Sequence, residues 1–322
     1  MLGFARILAR RATWQASTAL VSTALAALSI PQPALAACDV TVNPNTITCA
    51  ANTTTTPALN LNAAHPSSSD SVQQFTTPGP LTLTFNPGVT VDGQGFQIVS
   101  NTGAAINVSN AGVINGGAFG LLFDSPASGS VTYTGNGNIS GGNGLYVNTP
   151  RSIDINTGTG SITGTAPGSS AIFAFDNFSG AGNFKVTTSG AISGGDYGIF
   201  ALANTGTVTV NVNGGTVSGG RSGISAGSAS ASDVVVNANA GTISSGNTAI
   251  SMSGGGNVTF NGNGSVITGG NALSVGGQFV SVNLTAGSVA ATSRGVRVFS
   301  TGSTSVFSAP GYPSPATRVD WR

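Results

Sequence analysis

The chain contains no glutamate, one lysine (Lys185) and one histidine (His65), and only 6% of its 322 residues are charged. Its nine acidic residues are all Asp, against ten Lys and Arg. A helical protein of this length would be rich in Glu, Lys, Ala and Leu. A nucleic-acid binder would carry a basic stripe, and here the formal net charge is +1. A disordered chain combines low hydrophobicity with high net charge, whereas 39% of these residues are hydrophobic. What is abundant is glycine, 48 residues, set among Ser, Thr and Asn. This is the composition of a low-charge β protein.

The first residues read as an address. Arg6, Arg10 and Arg11 form a positive start, and Ser17 to Ile30 is a mostly apolar run without charge. Pro31 and Pro33 then break any helix, and Ala34-Leu35-Ala36 fits the small-x-small cleavage rule. Residues 1–36 are therefore expected to be a signal peptide cut between Ala36 and Ala37. The apolar run falls short of the roughly 20 residues a membrane span needs, so the mature chain is expected to have no transmembrane segment. Removing residues 1–36 takes away three Arg and leaves seven basic residues against nine Asp, a net charge of −2.

Both cysteines, Cys38 and Cys49, stand at the mature N-terminus. In an exported protein two cysteines this close suggest one disulfide, worth roughly 3 kcal/mol in the chain-entropy account. Leu35-Ala36-Ala37-Cys38 also has the form of a lipobox, which would acylate Cys38 and leave Cys49 free. The disulfide uses both residues and is preferred.

From residue 110 the chain repeats itself. AGVINGG (111–117), GNISGG (137–142), GSITG (160–164), GAISGG (190–195), GTVSGG (215–220), GTISSG (241–246), GSVITGG (264–270) and a worn GSVAAT (287–292) recur at intervals of 22 to 30 residues. A second apolar patch follows each, among them GLLF (120–123), GLYV (144–147), AIFAF (171–175) and GIFAL (198–202). A third patch alternates strictly, as in Thr207-Val208-Thr209-Val210-Asn211-Val212-Asn213. Counted back from the next motif glycine, four of seven third patches keep one register. Those before Gly137, Gly190 and Gly264 slip by one, which a turn could absorb.

Three short strands and three turns per unit of roughly 25 residues predict an all-β, single-stranded parallel β-helix, or β-solenoid. One unit cannot bury its apolar face alone. Stacked units pair each strand with its copies above and below and enclose a continuous core. Glycines take the corners, where a positive φ is needed or a Cβ has no room. The mature chain would supply ten or eleven rungs. The expected organisation is a signal peptide (1–36), an N-terminal cap with the Cys38–Cys49 disulfide (37–79), β-helix repeats (80–300) and a Pro-containing tail (301–322).

The export signal, the Cys38 to Cys49 segment ACDVTVNPNTITCAA and the Gly-x-Ile-Ser-Gly-Gly repeats resemble the passenger domains of autotransporters, type V secreted proteins of Gram-negative bacteria. The resemblance covers roughly residues 1–300. It implies a right-handed parallel β-helix, a place at the cell surface, outer membrane or outside the cell, and a surface or carbohydrate partner. Autotransporters end in a membrane barrel of short alternating strands with aromatic girdles. No such pattern closes this sequence, so self-translocation is not carried over. Without a separate translocator the product is expected in the periplasm.

Candidate chemistry is sparse. A polysaccharide lyase or glycosidase would need converging carboxylates. Asp92, Asp124, Asp154, Asp176, Asp196 and Asp233 lie within the repeats, and the period places Asp154 and Asp176 on different faces. His65, alone beside Pro66, makes no metal site. Arg221, Arg294 and Arg297 form at most a small basic patch. Phe173, Phe175, Phe178, Tyr197 and Phe200 gather over about one rung. They are expected in the core, an exposed patch for carbohydrate or a partner being the other reading. No cofactor, metal or nucleic-acid partner is expected, and no enzyme activity. The expected role is an exported structural or adhesive module. A polysaccharide-active β-helix enzyme, or a passenger remnant of a truncated gene, is the alternative.

Overall fold

The computed structural model of the chain describes residues 38–42, 45–50, 72–75, 80–93, 95–100, 103–124, 129–176, 180–308 and 320–321. The chain divides into two units, 1–34 and 35–322, and every described residue belongs to the second. Its regular structure is entirely β, with no helix among the described residues.

The strands stack in three parallel columns, each strand pairing with its counterpart one turn away. The alternating patches form face one, running through Leu81–Phe85, Ile106–Asn110, Val131–Gly135, Ile153–Asn156 and Phe184–Thr188. The Gly-x-Ile-Ser-Gly motifs form face two, from Thr90–Asp92 through Val113–Asn115, Asn138–Gly141, Ile162–Gly164 and Ala191–Gly194. The second patches form face three, through Phe96–Ser100, Phe119–Asp124, Asn143–Asn148, Ser170–Phe175, Tyr197–Ala203, Ser222–Ser228 and Thr248–Ser253. Higher up, the corners straighten into strand. Val208–Gly219 and Val234–Ser245 run through faces one and two, and Asn257–Gly277 and Phe279–Ser300 through all three. Eight turns carry the sequence motif, and a ninth, residues 81–100, precedes them with Val91 in the place of the motif isoleucine.

Alternation along each strand decides what is buried. On face one Val131, Ile153, Phe184, Val208, Val234, Val258 and Val280 lie in one inward column. On face two Ile114, Ile139, Ile162, Ile192, Val217, Ile243 and Ile267 do the same. Each such residue contributes about 1.5–3 kcal/mol by leaving water. The worn eighth motif shows its wear here: Val289 is only partly buried.

The slipped registers are resolved at the corner between faces one and two. All seven third patches stack in register: before Gly137 and Gly190 the corner is one residue shorter, while at Gly264 the corner keeps its length and the motif itself, Gly264-Ser265-Val266-Ile267, is one residue longer. Ile106 to Ile114, Val131 to Ile139 and Phe184 to Ile192 span eight residues, while the five remaining motif turns from Ile153 onward span nine. Each nine-residue corner holds one left-handed glycine: Gly158, Gly215, Gly241, Gly264 or Gly287, with φ from 50° to 131°. The eight-residue corners hold no such glycine. The extra residue is folded away in a backbone conformation that costs glycine little and other residues more.

The corner between faces two and three is tight for a different reason. At Gly194 a Cβ would stand 1.9 Å from the Tyr197 carbonyl oxygen, and at Gly219 2.2 Å from that of Ser222. The chain turns too sharply there for any side chain.

At the N-terminal end Asn45–Cys49 lies parallel on Leu81–Phe85, and Asp39–Val42 pairs with it antiparallel. That hairpin ends the parallel column of face one. Cys38 and Cys49 stand at disulfide-bonding distance with their Cα atoms 4.0 Å apart, and both are buried. Beyond residue 300 the columns continue. Thr304–Ser308 adds to face one and Asp320–Trp321 to face three, so part of the segment read as tail joins the stack.

Candidate functional site

The carboxylates are dispersed by the same alternation that builds the core. Asp154 points outward from face one, beside Lys185 one turn above, with 3.8 Å between the charges and about half of each side chain exposed. Its other neighbours in that row are threonines, Thr132 below and Thr209 two turns above, so no second acid meets it. An exposed pair of this kind is worth little in stability. Asp176 lies past the end of Ser170–Phe175 and is buried, its N–H donating to the Leu202 carbonyl. Asp196 sits at the opposite margin of face three, where its carbonyl accepts the N–H groups of Arg221 and Ser222. The six-residue width of a face-three strand, about 20 Å, separates Asp176 from Asp196.

The remaining acids serve the stack. Asp92 accepts a 2.7 Å hydrogen bond from Asn115 Nδ2, and Ser140 Oγ donates to Asn115 Oδ1 at 2.9 Å. Asp124 accepts from Asn148 Nδ2 at 3.0 Å. Burial pushes its pKa up, against that hydrogen bond, which lowers it. Asp233 accepts the Asn257 N–H. Among the described residues no three His, Cys or Asp gather as a metal site. Two shallow grooves, of about 440 and 420 Å³, are lined mainly by glycine, serine and threonine; Gln278 and Phe299 border the first.

The three arginines do not form one patch. Arg221 adjoins Ser222, three turns below Arg294 in the same row, a distance of about 14 Å. Arg221 lies over the Tyr197 ring at 5.7 Å and Arg297 over the Phe299 ring at 4.1 Å. The basic side chains are thus parted, Arg221 covering an aromatic ring of the turn below and Arg297 one of its own turn.

The aromatic cluster is a correction to the expectation of core packing. Within Ser170–Phe175 and Tyr197–Ala203 the inward positions go to Ile172, Ala174, Ile199 and Ala201. Phe173 and Phe200 alternate with them and point outward. In-register pairing sets Tyr146, Phe173 and Phe200 in one row with ring centroids 4.8 Å apart and planes within 8°. Phe119 meets Tyr146 edge-on, and Tyr197 meets Phe200 edge-on. Burial and the nearby Asp124 charge both raise the Tyr146 pKa. Phe173 has a ring stacked on each of its faces, while Phe200 is followed in the row by Ser225. Tyr146 escaped sequence reading because GLYV holds only one aromatic; aligning it with AIFAF and GIFAL places all three at one position.

A second ladder also went unread. On the outward side of face one Asn283 donates to Asn261 (2.8 Å), Asn261 to Asn237 (2.7 Å) and Asn237 to Asn211 (2.8 Å). Asn211 continues to Thr187 Oγ1 at 3.3 Å. Beside it Asn263 donates to Asn239, and Asn239 to Asn213. The signal was present in the shared register of the alternating patches.

Of the residues singled out in the sequence, Ala36, Ala37, His65 and Phe178 lie outside the described residues. No helix among the described residues is long and apolar enough to cross a membrane. No family model, no curated protein and no solved structure matches the chain.

Proposed function

We propose that this chain is an exported structural or adhesive module of the autotransporter-passenger kind, displayed at the cell surface or released. One observation carries the reading. In-register turns repeat short polar side chains along the outer faces, while the carboxylates are scattered over separate faces and turns. Such a surface offers many weak, identical contacts rather than one reactive centre. Multivalent contact of this kind gains strength from repetition.

The test has two arms. Cells of a Gram-negative host displaying the chain are expected to retain better than control cells on glycan-coated or plain surfaces. The purified protein is expected to leave polysaccharides intact. Depolymerisation lost on Asp154→Ala would instead make it an enzyme. Fractionation with intact mass measurement checks the export route. The expected product begins at Ala37 and lacks two hydrogens; one beginning at an acylated Cys38 would make it a lipoprotein.

A further inference from the structure

We infer that face three carries a binding site for an acidic sugar, seated on Phe200. The aromatic row stops at this residue. Phe173 covers one face of the Phe200 ring at 4.8 Å, and Ser225 takes the next place in the row, with Ser251 and Ser274 after it. Arg297 closes the gap one turn later. A partly exposed ring is thus left with one face turned towards three turns of short side chains, about 19 Å from Phe200 to Arg297. Beside Phe200, Leu202 leans over Gly227, its Cδ1 3.0 Å from where a Cβ there would stand, and extends the apolar wall. At the far end Phe299 lies under Arg297, and the groove of about 440 Å³ shares that ring.

The polar groups beside the ring narrow the ligand. The hydroxyls of Ser225, Ser251 and Ser274 are partly exposed, and among the described residues none has a hydrogen-bond partner in the protein. Outward rows elsewhere differ: Asn261 bonds Asn237 on face one, and Ser218 bonds Ser193 on face two. An open ring face next to unspent hydroxyls suits a sugar. The negative face of the ring attracts the sugar's C–H groups, and its hydroxyls exchange hydrogen bonds with the serines. An acyl chain would cover the ring and leave the serines unpaired. Charge supplies the acid. Arg221, on the turn of Ser225, lies over Tyr197, which meets Phe200 edge-on. Its guanidinium is therefore one ring away from Phe200, and among the described residues it forms no ion pair. Ser222–Ser228, Thr248–Ser253 and residues 271–277 contain no acid. Asp196, one turn below, meets Arg221 through its backbone carbonyl. Asp320 follows Arg297 in the row, so the carboxylate falls to Arg221. A guanidinium takes a carboxylate through two parallel N–H···O bonds. The inference rests on the surface-module reading, because extended acidic glycans coat cells.

The experiment titrates the purified full chain in a calorimeter with two probes. One is a hyaluronan hexasaccharide, whose glucuronate units carry carboxylates; the other is its methyl ester, which keeps the rings and loses the charge. The wild type is expected to bind the acid about tenfold more tightly than the ester, and less tightly as salt is raised. Ser225→Phe supplies the missing ring of the row. It should hold or raise the urea midpoint while weakening binding about tenfold. Arg221→Gln should bring the acid down to the affinity of the ester. Lys185→Gln, which removes a charge from face one, should change neither. Phe200→Ala should lose both probes, and Ser225→Phe tests the site even where circular dichroism shows that Phe200→Ala does not fold. A wild type that binds neither probe overturns the inference. So does equal affinity for acid and ester, Ser225→Phe binding like the wild type, or equal loss in Lys185→Gln. Displaying cells that adhere while the purified protein binds neither probe remove this inference alone; cells that fail to adhere while the protein binds the acid remove the adhesive reading alone.

Discussion

Gly214 and Gly215 are neighbours at one corner, and substituting each by alanine should have opposite consequences. Gly215 has φ of 66°, and a Cβ there would stand 2.1 Å from the Gly190 carbonyl oxygen of the turn below. Alanine in that backbone region costs about 1–2 kcal/mol. The contact with backbone forces the two turns apart, at about 1–3 kcal/mol more if it resembles an overpacked core. Gly215→Ala is therefore expected to lose about 2–5 kcal/mol in all. At Gly214 the nearest atom to a Cβ is 3.5 Å away, an ordinary contact, and φ is not left-handed. Gly214→Ala should fall within about 1 kcal/mol of the wild type, on the favourable side if the loss of unfolded-state freedom dominates. Urea unfolding followed by circular dichroism reads both, with the midpoint shift converted through a common slope. Equal midpoints for the two variants would refute the account in which a left-handed glycine absorbs the extra corner residue.

Three further outcomes follow from the packing. Asn237→Ala removes two ladder hydrogen bonds and should cost about 1–2 kcal/mol, while Asn107→Ala, outward on the same face but outside the ladder, should cost under about 0.5 kcal/mol; matching urea midpoints would deny the ladder any energetic role. Tyr133 is fully buried, and burial raises its pKa from 10.0 to about 12, against a hydrogen bond from Asn110 that lowers it. The folded state therefore holds this proton more tightly, and stability is complete below pH 10. About 2–3 kcal/mol should be lost as pH rises from 10 towards 12, a loss that Tyr133→Phe removes and that unfolding curves at stepped pH measure. Lys185→Ala, which breaks the exposed pair with Asp154, should shift stability by less than about 0.5 kcal/mol; a larger shift in urea midpoint would mean that the pair does more than meet in solvent.

Much of the architecture could be read from the residues, because a solenoid writes its period openly. The isoleucines of the motif recur where face two needs them, and strict alternation in Val208-Thr209-Val210-Asn211-Val212 gave face one its inside and outside. The outward placement of Phe173 and Phe200 was harder. A run such as Ala171-Ile172-Phe173-Ala174-Phe175 is apolar at every position, so hydrophobicity alone cannot say which side faces in. Only in-register stacking, with Ile172 on Ile199 and Phe173 on Phe200, settles it. The ladders were obscured for a related reason: a hydrogen bond between Asn237 and Asn261 depends on register between turns, which a scan along one strand does not reveal. The scattering of the acids was foreseen for Asp154 and Asp176, whose patches belong to different faces. Ten or eleven rungs were expected; nine complete turns are described, and strands on faces one and three at each end, Asn45–Cys49 with Val72–Phe75 and Thr304–Ser308 with Asp320–Trp321, belong to one further turn each.

Strands that pair only with the turn before and the turn after make length an independent quantity in this molecule. Residues 208–233 form one whole turn. Excising them would join Thr207 to Val234, and Val234 would then settle on Phe184 in the place Val208 now holds. Every other pairing would be untouched. Duplication of the same segment would lengthen the stack by one step just as quietly. A gene coding for such a chain can gain or shed whole turns by recombination between its own repeats, whereas a single residue gained within a strand would turn its inward side chains out. The unit of inheritance here is the turn.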